Sequence, residues 1–256
     1  MRTDVSGLLQ VDSDGSVAVV RIDRPEKRNA LTREMLRRLP ELMTASALNR
    51  ATSIVLTGGP ECFSAGVDVR ELGQGIADAE IDDEIAALTA TIRSLSVPVV
   101  AAIEGSCFGA AVEIAVSCDA RVAARNSAFR IPAAHLGILY RPEGIRDLVS
   151  VVGRPTAMRL LVLGERLTGG QAAHAGLVSH LTEPGAALER ALELAHLVDA
   201  SVPEAVNVTK QLVVTSSSSD LDVSGFQERR RALLDSDERR AAVADIQDRL
   251  GGHRND

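Results

Sequence analysis

The run Val97-Pro98-Val99-Val100-Ala101-Ala102-Ile103 contains no polar residue, and Glu104-Gly105-Ser106 turns it into a helix of small residues from about Gly109 to Val116. A continuous apolar run of this length reads as a strand buried on both faces, the kind found in parallel sheets covered by helices. The same alternation recurs along the chain. Val17-Ala18-Val19-Val20-Arg21-Ile22 follows an Asp14-Gly15 turn signal and reads as a strand. Thr32 is placed to cap a helix through Met35, Leu36, Leu39 and Leu42 at three-to-four spacing. Ser53 to Thr57 reads as a buried strand, Ile81 to Leu95 as a helix and Ala120 to Ala123 as a short strand. Strands alternating with helices predict an α/β fold with a mostly parallel sheet. From about Thr156 the pattern is largely helical, with a turn and short strand expected at Gly176 to His180. From Ser201 the chain reads as highly charged helices interrupted by Ser216 to Ser219, with a frayed end from Gly251.

A chain of 256 residues, 45% of them hydrophobic, suits one sizeable core with a helical extension. The net charge of −7 gives no general attraction for nucleic acid or an anionic membrane, so neither is an expected partner. A polyanionic ligand would have to meet basic residues gathered locally. One tyrosine, Tyr140, and no tryptophan argue against an aromatic platform for single-stranded nucleic acid. Cys62, Cys107 and Cys118 lie far apart, with no Cys-x-x-Cys or Cys/His cluster, so no metal site and no disulfide framework is expected. They read as buried thiols in a reducing cytosol. The start, Met1-Arg2-Thr3-Asp4, lacks the apolar stretch of a secretory leader, and no apolar run approaches about 18 residues. A cytoplasmic protein is the expectation.

Two segments carry candidate chemistry. In Phe63-Ser64-Ala65-Gly66-Val67-Asp68 a small-residue turn leads into a short helix, leaving backbone N–H groups without intrahelical partners. In Gly105-Ser106-Cys107-Phe108-Gly109-Ala110-Ala111-Val112-Glu113 a strand ends and a helix of small residues begins. Small side chains let a ligand approach the backbone, and the first N–H groups point outward at the positive end of the helix dipole. Glu113 lies one turn past Ala110, so its side chain can lean back toward the same place. Each segment read alone also fits a plain turn or a closely packed helix with a solvated acid.

Together these segments resemble the crotonase superfamily of enoyl-CoA hydratases and isomerases. The resemblance runs from about Val17 to Arg249 and includes Arg24-Pro25-Glu26-Lys27-Arg28-Asn29-Ala30-Leu31, Leu136-Gly137, Val152-Gly153, Leu167-Thr168-Gly169 and Ala175-Gly176-Leu177-Val178 in family order. It implies a spiral of ββα units over residues 1–195 and a helical region over 196–256 that builds homotrimers or hexamers. It implies an oxyanion hole from the N–H groups of Val67 and Ala110, preceded by Gly109. It places the nucleotide end of coenzyme A near Lys27, Arg28, Ala30 and the segment Ala65, Gly66, Val67, Asp68. The ligand implied is an acyl-CoA thioester, as substrate, with no further cofactor.

The pattern breaks at one position. Hydratases of this family use two glutamates, one matching Glu113 and one that would fall at Ala133, which cannot carry a proton. Loss of one acid/base group typically costs about 10²–10⁴ in rate, so altered hydratase chemistry is expected. His135 would share a face with Ala133 if the chain there were extended. Leu136-Gly137-Ile138-Leu139-Tyr140-Arg141-Pro142-Glu143-Gly144-Ile145 resembles the methylmalonyl-CoA decarboxylase branch, which has a tyrosine at the place of Tyr140; that branch has a histidine where this chain has Val67. Enzyme and non-catalytic acyl-CoA binder both remain open at this point.

Overall fold

A computed structural model describes residues 3–5, 7–73, 75–216 and 221–252. Met1, Arg2, Ser6, Gln74, residues 217–220 and the tail from His253 lie outside the described residues. The larger sheet holds β1 (Thr3–Val5), β2 (Leu9–Asp14), β3 (Val17–Ile22), β4 (Ser53–Thr57), β6 (Val99–Ile103), β8 (Ala120–Ala124) and β11 (His180–Thr182), hydrogen-bonded in that order. A second sheet holds β10 (Leu167–Thr168), β9 (Ala128–Arg130), β7 (Ser106–Phe108) and β5 (Cys62–Ser64), again in spatial order. The helices are α1 (Arg33–Leu48), α2 (Ala79–Ser94), α3 (Ala110–Ser117), α4 (Pro142–Leu161), α5 (Gly169–His174), α6 (Ala187–His196), α7 (Pro203–Thr215), α8 (Val223–Leu234) and α9 (Asp237–Gly252). The α/β class read from the sequence is the class observed.

The chain order explains the two sheets. Three consecutive units, β4-β5-α2, β6-β7-α3 and β8-β9-α4, each place one strand in the large sheet and the next in the small one. β4, β6 and β8 pair in parallel, and so do β5, β7 and β9. The short strands escape a reading by periodicity because each has only three residues. The strand expected at Gly176 to His180 begins at His180 instead; Leu177 and Val178 are buried in the turn before it.

Strand alternation divides the core. Ile54, Leu56, Ala101 and Ile103 face Leu36, Leu39, Leu88 and Ile92 of α1 and α2 in one cluster. Val55, Val100 and Val122 point to the other face and meet Ala187, Ala191 and Ala195 of α6, whose small side chains at four-residue spacing let the helix lie close. Thr32 caps α1 as expected, its hydroxyl oxygen accepting from Met35 N–H at 3.3 Å. All three cysteines are free and buried, and burial pushes the Cys118 thiol up to about 12, which keeps it unreactive.

Past the expected boundary at residue 196, α7 is tied to the core. The Lys210 ammonium, 5% exposed, meets Asp119 at 2.8 Å and donates to the carbonyls of Val97 and Ile92 at 2.9 and 3.1 Å. By contrast α8 has no buried residue among those described, and Val223, Leu234 and Ile246 are 59%, 46% and 56% exposed. Among the described residues, no helix is long and apolar enough to cross a membrane.

Candidate active site

The site lies where β5 and β7 end. These strands are parallel neighbours, so the residues that follow them emerge side by side, about 4.8 Å apart. After β5 the chain runs on through Ala65, Gly66 and Val67. Leu31 N–H donates to Gly66 O and Asp68 N–H to Leu31 O, both at 2.8 Å. In an extended chain successive peptide groups point opposite ways, so the Val67 N–H faces away from Leu31. After β7, Gly109 N–H donates to Arg130 O at 2.8 Å and its carbonyl accepts from Val112 N–H. That leaves the N–H of Ala110, the first residue of α3, pointing out of the helix start. Among the described residues neither the Val67 nor the Ala110 N–H has an acceptor.

Gly66 is what lets these two peptides meet. Its φ is +89°, and a Cβ there would stand 2.6 Å from Phe108 O and 3.4 Å from Ala110 N. Gly109 closes the other side: a Cβ on it would stand 4.0 Å from both Gly66 Cα and the Tyr140 hydroxyl. The Val67 and Ala110 peptides, the start of α3 and the Tyr140 hydroxyl therefore lie close together.

This region opens into a pocket of about 150 Å³. Ala65, Val67, Gly109, Ala110, Glu113, Ala133 and Tyr140 all line it. Its apolar wall comes from Val69, Leu72, Ile81, Ile85, Leu136 and Ile138. Glu113 reaches in from α3 with a side chain only 10% exposed, and accepts from Arg141 Nη2 at 3.2 Å. Its carboxylate rests against α4 at Gly144, where a Cβ would approach Oε1 to 2.7 Å. Burial raises the Glu113 carboxyl above the ordinary range, with the Arg141 guanidinium opposing. Burial, then the negative charges of Glu113 and Asp82, push the Tyr140 hydroxyl far up, so it keeps its proton at any working pH.

The remaining expected residues lie around this pocket rather than in it. Lys27 is exposed. Arg28 donates to Ser106 Oγ at 3.0 Å, and its guanidinium and that of Arg166 lie 6.0 and 5.9 Å from the Phe108 ring centre. The Arg28 carbonyl accepts from Ala65 N–H at 3.0 Å, which joins this loop to the Ala65–Asp68 segment. Ala30 is buried, and its carbonyl accepts from Arg24. Asp68 is buried and engaged by Arg70 and Arg24 at 2.6 and 2.8 Å, and the Arg70 hydrogen bonds first of all hold its carboxyl well below the usual range.

The expectation for His135 needs correction. The segment Ala133–Leu136 is a turn of 3-10 helix, not extended chain. Ala133 is therefore buried against the pocket while His135 is exposed and packs over Gly164. Three charged residues of the pocket were not expected from sequence. Asp78 just before α2, Asp82 of α2 and Arg141 at the start of α4 all line the cavity. A charge on an amphipathic helix looks like a solvated face, and only the packing of α2 over the site distinguishes it.

Comparison with known proteins identifies the family and the fold. The sequence model of the enoyl-CoA hydratase/isomerase family matches residues 12–240. A 2,3-dehydroadipyl-CoA hydratase of Escherichia coli is 33% identical over 227 residues, 88% of this chain and 89% of that protein. A short-chain-enoyl-CoA hydratase of Clostridium acetobutylicum is 29% identical over 225 residues, 84% of each chain. The solved structure of Pseudomonas aeruginosa DspI superposes with a TM-score of 0.89 at 28% identity, covering 96% of both chains. With a family match spanning almost every element described above, and a fold shared along nearly its whole length, this chain belongs to the enoyl-CoA hydratase/isomerase family of the crotonase superfamily.

Proposed function

We propose that this chain is an enzyme that binds an acyl-CoA thioester, polarises its carbonyl with the N–H groups of Val67 and Ala110, and moves a proton with Glu113. The observation that carries this reading is that two residues with acceptor-free N–H groups line one pocket with a buried carboxylate. Fixed dipoles aimed at an oxygen that gains negative charge stabilise an enolate most in a site that excludes water. Coenzyme A enters as part of the substrate. Its nucleotide end lies by Lys27, Arg28, Ala30 and the Ala65–Asp68 segment, where Arg28 and Arg166 gather positive charge in an otherwise acidic chain. The acyl chain lies along the apolar wall. The protein acts in the cytoplasm, a reading supported by three buried, unpaired thiols.

The test is a panel of enoyl-, hydroxyacyl- and malonyl-type CoA thioesters followed by mass spectrometry. Conversion of at least one is expected; saturable binding with no conversion of any would make the protein an acyl-CoA binder. Loss of carbon dioxide from a malonyl-type thioester would favour the decarboxylase alternative. That alternative is supported by the Tyr140 hydroxyl, which lines the same pocket and keeps its proton.

The same reading includes assembly. Exposed apolar residues on α8 and α9 belong to a contact between subunits of a homotrimer or hexamer. Light scattering at micromolar concentration is expected to report three or six times the chain mass. A monomer would contradict this.

A further inference from the structure

We propose that Asp82 of α2 is the second proton-handling carboxylate of the site, standing in from a different element for the carboxylate that Ala133 lacks. This rests on the acyl-CoA reading above and deepens it toward hydration of a 2-enoyl thioester.

The pocket holds Glu113 on α3 and Asp82 on α2, with the Arg141 guanidinium acting on both. Ile81 and Ile85, on either side of Asp82 in α2, are buried in the core and line the same cavity, so the helix is held with this turn against it. Ala133 also lines it, 6% exposed, with nothing beyond a methyl group to offer. Both carboxyls are raised, first by burial, and each adds negative charge to the surroundings of Tyr140. The Asp82 charge adds to the rise of Glu113, while Asp78 and Asp83 add to that of Asp82, and a carboxylate lining the same cavity as another disfavours ionising both. Adding water to a conjugated thioester needs that pair of states, one carboxylate to take a proton and one carboxylic acid to give one.

The roles divide by the partners. Glu113 accepts from Arg141 at 3.2 Å, which favours its ionised form, and it takes a proton from water as the water oxygen bonds to the β-carbon. The electrons of the carbon–carbon double bond move to the α-carbon and thioester oxygen, held by Val67 and Ala110. Asp82 then gives its proton to the α-carbon. The sum is one water added, and the proton on Glu113 returns to Asp82 through solvent.

The experiment compares wild type, Asp82→Asn, Glu113→Gln and the double variant Asp82→Asn/Ala133→Glu. Three quantities are measured: crotonyl-CoA hydration, butyryl-CoA binding by calorimetry, and exchange of the butyryl α-hydrogens in deuterium oxide. Asp82→Asn is expected to keep binding within about threefold, lower kcat by about 100-fold or more and lose α-hydrogen exchange. Glu113→Gln should lose hydration and keep the exchange. Ala133→Glu should restore part of the activity of Asp82→Asn, because it returns a carboxylate to the same cavity. Hydration by Asp82→Asn within about threefold of wild type, with Glu113→Gln inactive, would overturn the role of Asp82 and leave the acyl-CoA reading intact. Loss of binding in step with activity, without rescue, would make Asp82 a packing residue and also overturn it. Hydration absent from the wild type, or unchanged in both single variants, would overturn the hydration reading itself and this proposal with it.

Discussion

Glu113→Gln is expected to leave acyl-CoA binding within about threefold of wild type and to lower turnover by about 10²–10⁴. The substitution is nearly isosteric, and the amide oxygen can still accept from Arg141, which bonds the carboxylate at 3.2 Å. The contact with Gly144 is also kept, since Gln adds no atom where a Cβ on Gly144 would already stand 2.7 Å from Oε1. What is lost is the ability to take and return a proton. The raised Glu113 carboxyl also fixes the sign of a pH effect. Activity that needs ionised Glu113 should fall as pH drops through a value above the ordinary glutamate range, and that acidic limb should vanish from any residual activity of the Gln variant. Unchanged kinetics would mean that Glu113 only packs against α4.

Gly66→Ala is expected to lower kcat by about 10²–10³, the usual consequence of disabling one oxyanion donor. At φ +89° an alanine is strained, and its methyl would stand 2.6 Å from Phe108 O. The strands must part or the peptide must turn, and either change takes the Val67 N–H away from that of Ala110. Backbone strain of this kind costs about 1–2 kcal/mol, so stability should fall as well. Gly7→Ala separates the two effects. Gly7 has φ +69° with nothing within 4 Å of a Cβ, so it should share the strain and keep the activity. Denaturant midpoints and kcat measured together check this pair. Equal kcat values for the two variants would mean that the Gly66 peptide is not aligned on the reacting carbonyl.

A sequence signal is as strong as the local pattern that an element imposes on its residues. β3, β4, β6 and β8 were legible because buried parallel strands are written as apolar, β-branched runs. β5, β7 and β9 were not, since a three-residue strand has no period and exists only through its neighbours in the second sheet. The paired motifs located Val67, Ala110 and Glu113 in one pocket because their spacing follows the ββα repeat. His135 was misplaced because the backbone after Pro132 curls into a 3-10 turn ended by Gly137 at φ +68°, which rotates alternate residues apart. Asp82 and Arg141 were invisible as site residues because α2 and the start of α4 reach the pocket only through tertiary packing.

Polarisation of a thioester carbonyl by the N–H groups of Val67 and Ala110 would leave a vibrational signature. Isotope-edited infrared spectroscopy of butyryl-CoA labelled with carbon-13 at that carbonyl tests it directly. The bound carbonyl band is predicted to lie at lower frequency than in buffer, to stay there in Glu113→Gln, and to move back toward the solution value in Gly66→Ala. A saturating ligand whose band stays at the solution frequency would contradict the account.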